Sequence, residues 1–182
     1  GTFLDTLSVD HMFVRRYYTV PLITNISTGA SIREVVIGDM NNDTNNDIVS
    51  VKSTGGIIYY GPSYNTSTSL PTPATAYGID IGYLNGDDKL DVLIGENDQF
   101  VHVFTNDGNW TRTQFADLSV VRNTRTNYVR IGDIDGDGFD DVMLATNDGD
   151  VLFYRHLQGV GWSLEIVDNL TRRINTIDIG DV

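Results

Sequence analysis

The chain contains no cysteine, which removes disulfide staples, thiolate metal sites and a cysteine nucleophile together, while leaving the compartment open. Basic residues are scarce: 12 Lys and Arg stand against 25 Asp and Glu, a formal charge of −13. That balance argues against nucleic acid or an anionic membrane surface as partner and in favour of cations. There are four prolines, and no apolar run approaches the roughly 18 residues of a membrane span. Gly1 to Asp10 lacks a basic segment followed by an apolar one, so a secretory leader, if one existed, is expected to have been removed. The histidines, His11, His102 and His156, lie too far apart in sequence to make an obvious zinc or copper ligand set. Neither a Gly-x-Ser-x-Gly elbow nor a His-Glu-x-x-His motif occurs, and no catalytic residue is assigned.

What the chain does have is acid in clusters. One segment recurs: Ile37 to Val49, Ile81 to Leu93 and Ile131 to Met143, with a fourth opening at Ile179-Gly180-Asp181. The spacings of the leading isoleucines are 44, 50 and 48 residues, which suits a four-stranded propeller blade and is too long for a short-coil β-helix. Alternating β-branched and aromatic residues predict four strands per period. In the first period these are Ile32–Gly38, Asp47–Lys52, Ile57–Tyr60 and a weaker Ser67–Leu70. The second reads Tyr77–Gly82, Leu90–Gly95, Phe100–Thr105 and Trp110–Phe115. The third reads Asn127–Gly132, Asp141–Thr146, Asp150–Arg155 and Trp162–Val167. Gly55-Gly56 and Asn147-Asp148-Gly149 are expected hairpin turns. No segment carries a capped 3.6-residue period, so helix should be nearly absent.

The expected fold is therefore all-β, built of blades of four antiparallel strands. Residues 31–74, 75–124 and 125–173 form three full blades, 1–30 the outer strands of a preceding one, and 174–182 the first strand of a further one. Propellers close with about 4–8 blades, so the chain reads as a fragment of a larger ring, completed by further blades, another chain or neighbouring copies.

The loop between the first two strands of the third blade runs Asp133-Ile134-Asp135-Gly136-Asp137-Gly138-Phe139-Asp140-Asp141. Ca²⁺ takes 6–8 oxygens at about 2.3–2.6 Å. Carboxylates at positions one, three, five and nine (Asp133, Asp135, Asp137, Asp141), with the Phe139 carbonyl at position seven, can curl around one such ion. The same register gives Asp39, Asn41, Asp43, the Asn45 carbonyl and Asp47 in the first loop. In the second it gives Asn85, Asp87, the Lys89 carbonyl and Asp91, with Tyr83 where the first carboxylate would stand. An EF-hand is excluded, because position twelve from Asp133 is Leu144 rather than a bidentate Glu. Asp, Asn and Gly also make plain turns through side-chain-to-backbone bonds; three copies in one register favour the cation.

The unit Ile-Gly-Asp-x-Asp-Gly-Asp-Gly-x-x-Asp-Val-x-x-Ala at 131–145, followed by Asn-Asp-Gly and an aromatic strand, resembles the FG-GAP/VCBS repeats of integrin-α-like calcium-binding propellers. The likeness covers about residues 31–182. Literal Phe-Gly and Gly-Ala-Pro are absent, which favours the broader VCBS-like branch. The resemblance implies a calcium-stabilised, extracellular or cell-surface module that recognises a protein or glycan and is not an enzyme. Rival readings are a structural unit of an extracellular fibre or coat, and a secreted lyase- or phospholipase-type propeller. Asn-x-Ser/Thr acceptors at Asn25, Asn42, Asn65, Asn109 and Asn169 suit a secreted glycoprotein. His102, between Val101 and Val103, reads as a strand histidine with a satisfied partner. Trp110 and Trp162 could stack on sugar, but their places at the start of last strands read as packing between blades.

Overall fold

The computed structural model describes residues 31–121, 124–158, 160–170 and 172–180. The expectation for residues 1–30 lies outside them. Among the described residues, twelve strands form three antiparallel sheets, each in sequence order. Blade one holds β1 (Ile32–Gly38), β2 (Asp47–Lys52), β3 (Gly55–Tyr60) and β4 (Thr66–Pro71). Blade two holds β5 (Ala76–Gly82), β6 (Asp91–Glu96), β7 (Phe100–Thr105) and β8 (Thr111–Asp117). Blade three holds β9 (Thr126–Gly132), β10 (Asp141–Thr146), β11 (Asp150–His156) and β12 (Trp162–Asn169). The helical content of the described residues is one 3₁₀ turn, Leu118–Val120, capped by the Asp117 carboxylate through the Ser119 N–H.

The innermost strands run in the order β1, β5, β9 and pack side by side. Two apolar cores fill the spaces between sheets. Val49, Val51, Ile58 and Leu70 meet Ile79, Val92, Ile94 and Phe104 between blades one and two. Leu93, Val101 and Leu118 meet Val129, Val142, Leu144 and Leu152 between blades two and three. Strand β6, with a sheet on either side, is buried at all six positions, whereas β1 leaves Val35 and Ile37 at 50% and 63% exposure. Trp110 and Trp162 pack against these two cores, one at each junction.

The Ile-Gly pair that closes each first strand has a packing reason. A side chain added at Gly38 would strike Ile81, and one at Gly82 would strike Ile131, at 2.5 and 2.2 Å. Each glycine thus leaves room for the isoleucine of the following blade, and overfilling such a contact costs about 1–3 kcal/mol. Ile179 stands 3.6 Å from the same point on Gly132.

Near the axis, carboxylates tie blades together through backbone. Glu34 Oε2 accepts from Ile79 N at 3.0 Å, and Asp80 Oδ2 from Ile131 N at 2.9 Å. Arg130 bridges back to Glu34 Oε1 at 2.8 Å and approaches Asp178 at 3.7 Å. Burial pushes the Asp80 carboxyl above its usual range, against the pull of the two N–H groups that it accepts from.

Several boundaries differ from expectation. The β2–β3 turn is Ser53-Thr54, with Gly55 (φ 118°) already pairing with Lys52 and Pro71. Trp110 lies outside β8, since its φ of 58° does not fit a ladder. Residues 172–180 carry no assigned strand, although 174–182 was expected as the first strand of a further blade; 181 and 182 lie outside the described residues. No second strand lies beside them among the described residues, and a lone extended segment has no ladder to complete.

His102 is buried in β7 with Nδ1 2.5 Å from Glu96 Oε1, and Glu96 Oε2 accepts from Ala74 N at 3.0 Å. This pair clamps the connection between blades one and two, as expected of a satisfied strand histidine.

Candidate metal centres

The three acidic loops join β1 to β2, β5 to β6 and β9 to β10. Each is wound by its own side chains. In the third loop Asp133 Oδ1 accepts from Gly136 N and Asp137 N at 2.8 and 3.0 Å, and its Oδ2 from Gly138 N at 2.9 Å. Asp135 Oδ1 accepts from Asp137 N, and Asp137 Oδ1 from Phe139 N. Gly136 and Gly138 take positive φ, 77° and 91°, at the fourth and sixth positions. The first loop repeats the winding: Asp39 accepts from Asp43 N and Thr44 N at 3.1 and 2.7 Å. There the positive φ falls on Asn42 (57°) and Thr44 (72°), and a β-branched residue is costly in that region. Thr44→Gly should therefore stabilise unglycosylated protein by about 0.5–1 kcal/mol after glycine's own entropy cost, read as a rise in the urea midpoint at constant slope.

The ninth carboxylates play a part that spacing alone did not disclose. Asp47, Asp91 and Asp141 are fully buried. Asp47 accepts from Met40 N at 2.8 Å and Gly61 N at 2.7 Å. Asp141 accepts from Ile134 N at 3.0 Å and His156 N at 2.8 Å. Asp91 Oδ1 accepts from Asn106 N at 2.8 Å. Each carboxylate latches the acidic loop to the end of its blade's third strand.

Three of the predicted ligands converge. Oxygens of Asp133, Asp135 and Asp141 all lie within 4.8 Å of one another. Two ligands on opposite sides of a Ca²⁺ at about 2.4 Å would be about that far apart, so the trio fits one hard cation. Asp137 stands outside the trio, and Arg155 holds Asp135 Oδ2 at 2.9 Å, partly balancing its charge. In the first loop the amide nitrogens of Asn41 and Asn45 donate to Asp43 at 3.2 and 3.0 Å. The backbone N–H and amide of Asn45 hold the Asp43 carboxyl below its usual range. A cation there would need the Asn41 amide turned to present its oxygen. In the second loop Asn85 and Asp87 keep the register, with Asp87 N on Asn85 Oδ1 and Lys89 N on Asp87 Oδ1, both at 2.9 Å. Tyr83 brings no carboxylate, and its N–H is taken by Asp140 Oδ2 of the third loop at 2.8 Å. Asp140 is thus an inter-blade acceptor, which only its place beside blade two reveals.

Burial pushes the Asp91 carboxyl up to about 6, and its Oδ2 lacks a hydrogen bond of good geometry. Its folded pKa lies above the ordinary value near 3.9, so the folded state holds the proton more tightly. In metal-free protein this group's stabilisation is fully present below about pH 4. It is lost as pH rises through about 6, a change of the order of 2–3 kcal/mol. Asp91→Asn should flatten that part of the profile relative to wild type, read by denaturant unfolding between pH 4 and 7. An unchanged slope in the variant would assign the effect to other carboxyls.

The described acceptor sites Asn42, Asn65, Asn109 and Asn169 are all exposed; Asn25 lies outside the described residues. Among the described residues no helix is long and apolar enough to cross a membrane. No curated protein matches the sequence. The FG-GAP-like repeat family matches residues 83–144, from the start of the second acidic loop through the third loop and most of β10. Residues 83–144 are thus similar to an FG-GAP-like repeat, and they run from the second into the third of the three four-stranded sheets.

Proposed function

We infer that the chain is a calcium-binding propeller module of the extracellular space or cell surface, serving recognition of a protein or glycan rather than catalysis. The observation that carries this reading is the convergence of Asp133, Asp135 and Asp141 within 4.8 Å in a loop whose register recurs in the first loop and, in part, in the second. Such a group of carboxylates is relieved by a hard cation. The bound ion would stiffen one end of each blade, leaving the neighbouring loops as a fixed recognition surface. Calorimetric titration of chelator-stripped protein with Ca²⁺ tests it. Saturable binding weakened by Asp135→Ala supports the reading, and the absence of binding heat removes it.

A second reading, a structural unit of a fibre or coat, draws on Val35 and Ile37, exposed on β1, where a neighbouring blade or copy could seat. Light scattering that grows with protein concentration would support it.

A further inference from the structure

We propose that the cleft between blades one and two binds the ring of a neutral pyranose, with Trp110 as its platform. This deepens the recognition reading above and rests on it. The two junctions between blades have the same construction but different fillings. Between blades two and three, Phe139 meets the edge of His156 (centroids 5.5 Å, 89°), and His156 stacks on Trp162 (4.6 Å, 14°). The equivalent positions between blades one and two are fixed by matching bonds. Lys89 N sits on Asp87 Oδ1 as Phe139 N sits on Asp137 Oδ1, and Asn106 N on Asp91 Oδ1 as His156 N on Asp141 Oδ1. Trp110 precedes β8 where Trp162 opens β12. Lysine and asparagine thus replace two rings of the stack. In their place is a cleft of about 570 Å³, lined by Tyr60, Gly61, Thr66, Lys89, Asn106 and Trp110 together with part of the first acidic loop. That volume lies in the range of small-ligand sites.

The lining selects the ligand class. Asn106 is 9% exposed, and its Nδ2 donates to the carbonyls of Met40 and Leu90 at 2.8 and 3.2 Å. Those two acceptors fix the amide's orientation and leave Oδ1 as an acceptor for a ligand hydroxyl. Lys89 brings donors and Thr66 a hydroxyl. A pyranose has one C–H face to lay on the indole, where the other junction lays an imidazole, and a rim of hydroxyls for the polar wall. An apolar peptide side chain would leave that wall unpaired. Trp110 is held in position at a φ of 58° by the turn that Asp107 winds through Asn109 N at 2.8 Å and the Thr111 hydroxyl. Bulky residues adopt this conformation only where the surroundings impose it, and such outliers gather at ligand sites.

The acceptor site Asn42 lines the cleft, and Asn65 and Asn109 precede Thr66 and Trp110. Protein for the test is therefore made without N-glycans. Methyl glycosides of neutral hexoses, N-acetylhexosamines and a hexuronic acid are titrated in Ca²⁺ while tryptophan emission is followed. Saturable change with a neutral glycoside is expected, weakened at least tenfold in Trp110→Ala. The double variant Lys89→Phe with Asn106→His, which rebuilds the ring stack, should abolish binding while keeping or raising the melting temperature. The proposal is overturned if no neutral glycoside binds, if only the uronic acid or a peptide competitor does, or if both variants bind like wild type. Loss of the calcium-induced rise in melting temperature would sink the calcium reading separately, and glycoside binding by that protein would still decide the cleft.

Discussion

Asp141→Ala should lower stability by about 3–5 kcal/mol in chelator and by more with calcium present, because it removes both a latch and one member of the carboxylate trio. The carboxylate is fully buried and accepts from the N–H groups of Ile134 and His156. Its removal leaves two donors without partners, each costing about 1–3 kcal/mol, and opens space in the core. A variant that loses stability only when calcium is present would show that Asp141 acts as a ligand and not as a latch. Denaturant unfolding in both conditions reads the difference directly. Asp47→Ala should behave alike in chelator, because it removes the bonds from Met40 and Gly61.

Asp135→Ala should act through calcium alone. Asp135 is not a latch: its bonds are to Asp137 N within the loop and to Arg155, so chelated protein should tolerate the change. Calcium should stabilise wild type by about 3–4 kcal/mol at concentrations of ~100 to ~1000 times the dissociation constant. For a domain of this size that is a rise of roughly 10 °C in melting temperature, most of which the variant should lose. Equal melts with calcium and with EDTA in metal-free wild type would refute cation binding by these loops. Tyr83→Asp, which restores the first carboxylate of the second loop, should enlarge the calcium effect if the register of that loop is read correctly.

The blades were legible because each strand carries its own alternation: Ile32–Gly38, Asp47–Lys52, Phe100–Thr105 and Asp141–Thr146 stand where the pattern puts them. The winding of the acidic loops was legible because the residues that accept and donate within each loop lie within nine positions. What escaped depends on neighbours distant in sequence. Asp140 accepts from Tyr83 and Asp80 from Ile131, contacts that exist only once blades lie side by side. The bond that Asp141 accepts from His156 N, fifteen residues on, was hidden behind its expected role as a ligand. Trp110 was placed inside a strand because its aromatic character suits one, and its backbone, wound by Asp107, does not.

Isoleucine and glycine stand next to each other at the close of every first strand, and they face opposite neighbours. Ile81 enters the space above Gly38, and Gly82 receives Ile131. Plug and socket are thus consecutive residues of one dipeptide, so each blade carries both halves of a coupling that is the same at every joint. A blade excised or duplicated between equivalent points of two repeats would bring a plug for the blade before it and a socket for the blade behind. Blade number could then change by whole units without redesign of any joint.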